Sequence, residues 1–165
     1  MAQTKLGEHV ANTIGQLPAT GSSAPEFVLS GSDLKDIRST QFAGKNIILN
    51  IFPSVDTSTC AASVREFNKR AASASNTVVL CVSKDLPFAM KRFCGAEGIE
   101  HVLLASDFRN RGFSKNYGVE LADGAFAGLL ARAIVVIDPQ GKIKYTELVP
   151  QIGDEPDYDS SLGSL

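Results

Sequence analysis

The sequence predicts an α/β fold: a mixed central sheet flanked by helices, with a short N-terminal β-hairpin. Three observations lead there. Continuous apolar runs of strand length recur at 46–52, 77–83 and 133–138, and unbroken runs of this kind belong to strands covered on both faces. Segments with helical spacing separate the first of these runs from those that follow. A turn sequence after the last run folds the chain back as an antiparallel edge. With 165 residues the chain is expected to form one domain, 1–165, in which 1–25 is a β extension.

Taken in order, residues 1–25 are polar and punctuated by Gly, Ser and Pro, with short apolar pieces around Leu6 and Val10 that suit a small hairpin. Ala24 to Leu29 enters a short strand. Asn46 to Phe52 is a β-branched apolar run ended by Pro53, which has no N–H to give to a ladder. Residues 60–74 carry Val64, Phe67, Ala71 and Ala74 on one helical face. Thr77 to Ser83 is the second buried strand. Pro87 starts a short helix that Gly95 is expected to end. Val102 to Leu104 is a brief strand, and Ala133 to Asp138 the third strong one. Pro139-Gln140-Gly141 turns the chain into Lys142 to Thr146, and a terminal helix is expected from Asp157 to Leu165. This order of strands and helices suits a thioredoxin-like fold.

Apolar residues make up 44% and charged residues 21%, the balance of an ordinary globular chain. Sixteen Lys and Arg against 18 Asp and Glu leave a net charge of −2, and the basic residues are scattered, which speaks against nucleic-acid binding. No apolar run approaches the roughly 18 residues of a transmembrane helix, so no membrane association is expected. Met1 to Gly7 lacks a basic segment followed by an apolar one, and a cytoplasmic location is expected.

The three cysteines, Cys60, Cys81 and Cys94, are an odd number and too far apart in sequence for a zinc pair, so no metal is expected. Cys60 follows the strand 46–52 and a loop in which Asp56, Thr57 and Ser58 can each cap a helix. The partial positive charge of a helix start stabilises a thiolate, which makes Cys60 a candidate nucleophile. The Thr57 hydroxyl can cap that helix, and it can also bond the thiolate or a neighbouring oxygen. Cys94 lies at the end of its helix, where a thiolate is disfavoured, although Lys91 and Arg92 oppose that effect. Cys81, inside a strand between Leu80 and Val82, reads as inert. Arg132 stands at the mouth of the strand 133–138. Its spacing alone favours a carboxylate partner or an exit to solvent. In a parallel sheet, this strand beside 46–52 would bring Arg132 to Cys60.

Pro53-x-x-x-Thr57-x-x-Cys60, with Arg132 far downstream, resembles the active-site motif of the peroxiredoxins. The stretches Asp85-Leu86-Pro87-Phe88-Ala89 and Arg92-Phe93-Cys94-Gly95-Ala96-Glu97-Gly98 bring the chain closer to the bacterial thiol peroxidases, the atypical two-cysteine branch. The resemblance implies reduction of hydrogen peroxide and organic hydroperoxides through a Cys60 sulfenic acid. It implies a disulfide between Cys60 and Cys94, thioredoxin as reductant and a homodimer. Thr57 and Arg132 would hold thiolate and hydroperoxide in line while Pro53 shields the pocket, and no cofactor would be needed. Disulfide formation requires Cα atoms within about 7 Å, so unwinding of one or both short segments is expected.

Two other readings fit some of the same residues. Cys60-Ala61-Ala62-Ser63 is formally a C-x-x-S, as in a monothiol–disulfide oxidoreductase, but Arg132-Ala133 stands where such enzymes keep a proline. A redox-dependent holdase would need a large exposed apolar segment, which the sequence lacks.

Overall fold

The computed structural model describes residues 1–165. β1 (Gln3–Leu6) and β2 (His9–Asn12) pair antiparallel, Leu6 opposite His9, and form the N-terminal hairpin within the expected 1–25 segment. The main sheet contains β3 (Val28–Gly31), β4 (Asp36–Arg38), β5 (Asn46–Ile51), β6 (Thr77–Ser83), β7 (Leu103–Ser106), β8 (Ala133–Ile137) and β9 (Ile143–Leu148). Its order is β4-β3-β7-β6-β5-β8-β9, and four helices accompany it: α1 (Ser58–Ala71), α2 (Pro87–Glu97), α3 (Phe113–Asn116) and α4 (Tyr158–Gly163). β5, β6 and β7 are parallel, and β3, β8 and β9 join antiparallel, so the sheet is mixed as expected.

The unbroken apolar runs divide by parity between two cores. Ile47, Leu49 and Ile51 of β5, with Leu80 and Val82 of β6, face a cluster that includes Phe27, Phe113 and Tyr117. Ile48, Val79 and Cys81 face the other way, against Cys60, Val64 and Phe67 of α1 and Met90 and Phe93 of α2. Alternate strand residues point to opposite faces, so a strand needs apolar side chains throughout only when both faces are covered. Phe67 is fully buried, and truncating such a side chain costs about 3–5 kcal/mol.

Four local expectations are corrected. α2 continues through Gly95 to Glu97 and ends at Gly98, whose left-handed backbone (φ 64°) lets its N–H reach the Cys94 carbonyl. A mid-helix glycine costs only about 1 kcal/mol, and the positive φ needed for the cap is met three residues later. Cys94 therefore sits inside the last turn rather than at its end. α1 spans 58–71 rather than 60–74, and the first strand of the main sheet falls at 28–31 rather than 24–29. The fourth correction concerns direction: β8 lies beside β5, but antiparallel, with Ile51 opposite Ala133. A parallel β8 would put its first residue beside the start of β5, at the sheet edge opposite Cys60. The antiparallel pairing is what carries Arg132 to the right end. β4, α3 and a 3-10 turn at Ser39–Phe42 are short and polar enough to have left no periodic signal.

Candidate active site

The site begins where β5 ends. Past the Ile51–Ala133 pair lie Phe52 and buried Pro53 on one strand and Arg132 on the other. The loop 54–57 then leads into α1. Thr57 adopts an extended backbone, and its hydroxyl accepts the N–H of Cys60 at 3.3 Å, the usual N-cap bond to the third helical residue. The same hydroxyl donates to the Ser54 carbonyl at 3.3 Å. Of the three cap candidates in the sequence, Thr57 takes the position. It does so because its side chain lies one residue ahead of the first helical turn. Cys60 is wholly buried and turned inward with Val64 and Phe67.

Arg132 is 2% exposed. Its Nε donates to the Ile152 carbonyl at 2.7 Å, and its Nη2 donates to Cys60 Sγ at 3.2 Å. Nη1 has no partner. The chain's ion pairs all involve other basic residues, so the carboxylate or solvent exit favoured by spacing alone is not realised. A buried guanidinium requires a compensating charge, and the one polar side-chain atom it meets is the Cys60 sulfur. The Nη2–Sγ contact is thus a charge-assisted hydrogen bond in a site closed to water.

Asp85 opens one of the stretches that carry the family resemblance, but nothing in the sequence assigns it a role. In the fold its carboxylate accepts from the Ser54 hydroxyl (2.7 Å), the Val55 N–H (2.9 Å) and the Ser83 hydroxyl (2.6 Å). It thereby ties the loop before Cys60 to the junction from which the Cys94-bearing helix departs. Ile152 was equally illegible, because it contributes a backbone carbonyl. Thr59, next to Cys60, donates its hydroxyl to Gly153 in the same segment at 2.9 Å.

All three cysteines are free. Cys94 is half-buried, and burial pushes its thiol up. Cys81 is wholly buried, and desolvation pushes its thiol up to about 12, against a weak opposing hydrogen bond from Asn50. α1 and α2 follow parallel strands and so start at the same sheet edge. Cys60 is in the first turn of α1 and Cys94 in the last turn of α2, an axial stagger of about 7 Å at 1.5 Å per residue. Both thiols are free, and a disulfide between them needs Cα atoms within about 7 Å, so rearrangement of these turns is the expectation carried forward. Exposed ion pairs tie α2 to the loop before α1 (Arg92–Asp56, 3.3 Å) and to α1 itself (Glu97–Arg65, 3.5 Å), each worth about 0–1 kcal/mol. No three His, Cys, Asp or Glu side chains are grouped to hold a metal ion, and no helix is long and apolar enough to cross a membrane.

The Redoxin family model matches residues 19–162. A thiol peroxidase of Mycobacterium tuberculosis is 61% identical over 165 residues, covering 100% of this chain and 99% of the relative. One from Corynebacterium glutamicum is 50% identical with the same coverage. The crystal structure of a peroxiredoxin-like protein from Aquifex aeolicus superposes with a TM-score of 0.93 at 37% identity, over 99% of this chain and 95% of that one. A thiol peroxidase from Chromobacterium violaceum shares the fold, with a TM-score of 0.88 at 24% identity over 96% and 91% of the two chains. The cysteine, guanidinium and capping threonine gathered at the end of β5 thus stand in a chain that belongs to the bacterial thiol peroxidases, the atypical two-cysteine branch of the peroxiredoxins.

Proposed function

We propose that Cys60 is the peroxidatic residue of this thiol peroxidase and that Arg132 is its electrostatic partner. The observation that carries the reading is the buried guanidinium with no carboxylate: Nη2 rests on Cys60 Sγ and Nη1 is unbonded. The free Nη1 donor is available to an oxygen of a bound hydroperoxide. The substrate class is hydrogen peroxide and organic hydroperoxides.

In the first step the Cys60 thiolate attacks the distal oxygen. The S–O bond forms as the O–O bond breaks, sulfur is oxidised to the sulfenic acid, and the departing alkoxide or hydroxide takes a proton to leave as alcohol or water. Charge developing on that oxygen is what Arg132 stabilises, with the Thr57 hydroxyl as a second donor once it turns from the Ser54 carbonyl. Pro53 shields the pocket from water. In the second step the Cys94 thiol condenses with the sulfenic acid, forming the disulfide and releasing water. The high-lying Cys94 thiol suits this order, because it leaves Cys60 the first to react. In the third step reduced thioredoxin takes the disulfide back to two thiols and is itself oxidised.

The reading includes residues 1–165 as one domain, a homodimeric assembly, a cytoplasmic location and no resident cofactor. Mass spectrometry after one equivalent of peroxide tests its centre. A Cys60–Cys94 link is expected in the native chain and a trapped Cys60 sulfenic acid in Cys94→Ser. Oxidation that lands first on Cys81 overturns it. A faster reaction with a glutathionylated peptide than with hydroperoxide would instead select the monothiol–disulfide oxidoreductase.

A further inference from the structure

Building on the placement of Arg132 at the peroxide, we propose that the N-terminal hairpin belongs to the catalytic support, with Thr4 as a positioning residue that acts on Arg132 through the strap 149–153. Arg132 has one uncharged anchor, the Ile152 carbonyl at 2.7 Å. That carbonyl lies beyond the end of β9, in a segment with no strand or helix of its own, so its place is set by whatever holds the strap.

On one side the strap is held by β1. The Lys5 N–H donates to Pro150 (2.9 Å), the Ile152 N–H donates to Lys5 (2.8 Å), and Gln151 Nε2 donates to Gly7 (2.9 Å). Thr4 is 2% exposed, and its hydroxyl lies 2.8 Å from the Val149 carbonyl and 3.1 Å from that of Pro150. The Ile152 side chain closes a small core with Ala11 of β2, Leu121 and Ala131, the residue before Arg132. On the other side Gly153 accepts from Thr59, the residue before Cys60. The hairpin is therefore joined through one strap to both the guanidinium and the cysteine-bearing turn. The Val149 N–H donates to the Arg132 carbonyl at 3.0 Å, and the buried Thr4 hydroxyl, costly to leave unpaired, holds the Val149 and Pro150 carbonyls. A displacement near 1 Å at a reacting group can cost about a hundredfold in rate, which gives a remote anchor leverage over the chemistry.

The test compares Thr4→Val, which removes the hydroxyl at nearly constant volume, with Thr4→Ser, which returns it. Three quantities are read: Cys60 oxidation by hydrogen peroxide, Cys60 alkylation by iodoacetamide at the same pH, and the Arg132 Nε–H NMR resonance. Thr4→Val is expected to slow oxidation by about tenfold, keep alkylation within about twofold and shift the resonance, with all three restored in Thr4→Ser. An unchanged oxidation rate in Thr4→Val, or oxidation and alkylation falling together, overturns the proposal. If Thr4→Val does not fold, hydrogen exchange on the native chain decides. The Ile152 amide and Arg132 Nε–H are expected to share the opening constant of the Lys5 amide, and an Arg132 Nε–H that stays protected after β1 opens overturns the proposal. Arg132→Lys separates the two levels. Native oxidation rates in Arg132→Lys sink the peroxide-site reading itself, whereas a slow Arg132→Lys beside a fast Thr4→Val sinks only the role of Thr4.

Discussion

Arg132 Nη2 meets Cys60 Sγ at 3.2 Å inside a wholly buried setting, and no carboxylate competes for the guanidinium. Replacing Arg132 with Gln is expected to lower the rate of Cys60 oxidation by hydrogen peroxide by about a hundredfold or more, the usual scale for removing a preorganised donor. Arg132→Lys keeps the charge but loses the fork that serves Ile152 and Cys60 at once, so it should recover only a minor part of the rate. Stopped-flow measurement of sulfenic acid formation checks both. A Gln variant as fast as the native chain would disprove the assignment.

Thr57 caps α1 and lies one helical turn from the sulfur. Thr57→Val is expected to cost about 1 kcal/mol of stability from the lost cap. Its peroxidase rate should fall by about tenfold or more through loss of the hydroxyl donor. Thr57→Ser should keep both. Urea unfolding and peroxide kinetics on the two variants separate capping from catalysis, and equal rates in both would remove Thr57 from the chemistry.

Asp85 takes three hydrogen bonds that tie the 54–55 loop to the end of β6. Asp85→Ala leaves the Val55 N–H and two hydroxyls without that acceptor, and a loss of about 1–3 kcal/mol is expected. At about 2–4 °C per kcal/mol for a chain of this size, calorimetry resolves the change. The loop leads into the helical turn that carries Cys60, so the oxidation rate should fall with it. Unchanged Tm and unchanged rate would mean that the loop is held by other contacts.

Burial pushes the Asp107 carboxyl up, with Ser114 and the Lys84 charge opposing. The Lys84 ammonium is engaged by Glu120 at 2.6 Å. With the folded value above the unfolded one, the native state holds more protons across the interval between them. Stability from this group is therefore full below the unfolded value of about 4 and declines as pH rises through the folded value. Asp107→Asn removes that decline, so its stability relative to the native chain should improve between pH 4 and pH 7. Denaturant titrations at both pH values measure it, and an advantage that shrinks with rising pH would contradict the assignment.

The proposed disulfide draws together two cysteines that begin in the first turn of α1 and the last turn of α2. Amide hydrogen exchange is expected to rise at 58–61 and at 92–98 when the disulfide forms, with β5 and β6 unchanged. Exchange that stays at its reduced-state level in both segments would show that the disulfide closes without unwinding.

The residue pattern by itself determined the elements whose order is local. The runs 46–51 and 77–83 send apolar side chains to both faces, Ile47, Leu49, Ile51, Leu80 and Val82 to one core and Ile48, Val79 and Cys81 to the other, so they read as doubly covered strands before any partner is known. The setting of Cys60 was equally legible, because a strand end, a proline, a capping threonine and a helical stripe all lie within fifteen residues of one another. Tertiary structure alone decided the rest. Arg132 reaches Cys60 because β8 runs antiparallel to β5, and a strand's direction is a property of pairing, not of its side chains. Ile152 holds that arginine through a main-chain carbonyl, which every residue possesses and no residue type announces. Asp85 and Thr4 act across 30 and 145 positions of sequence respectively, distances at which hydrogen bonds leave no periodicity to read.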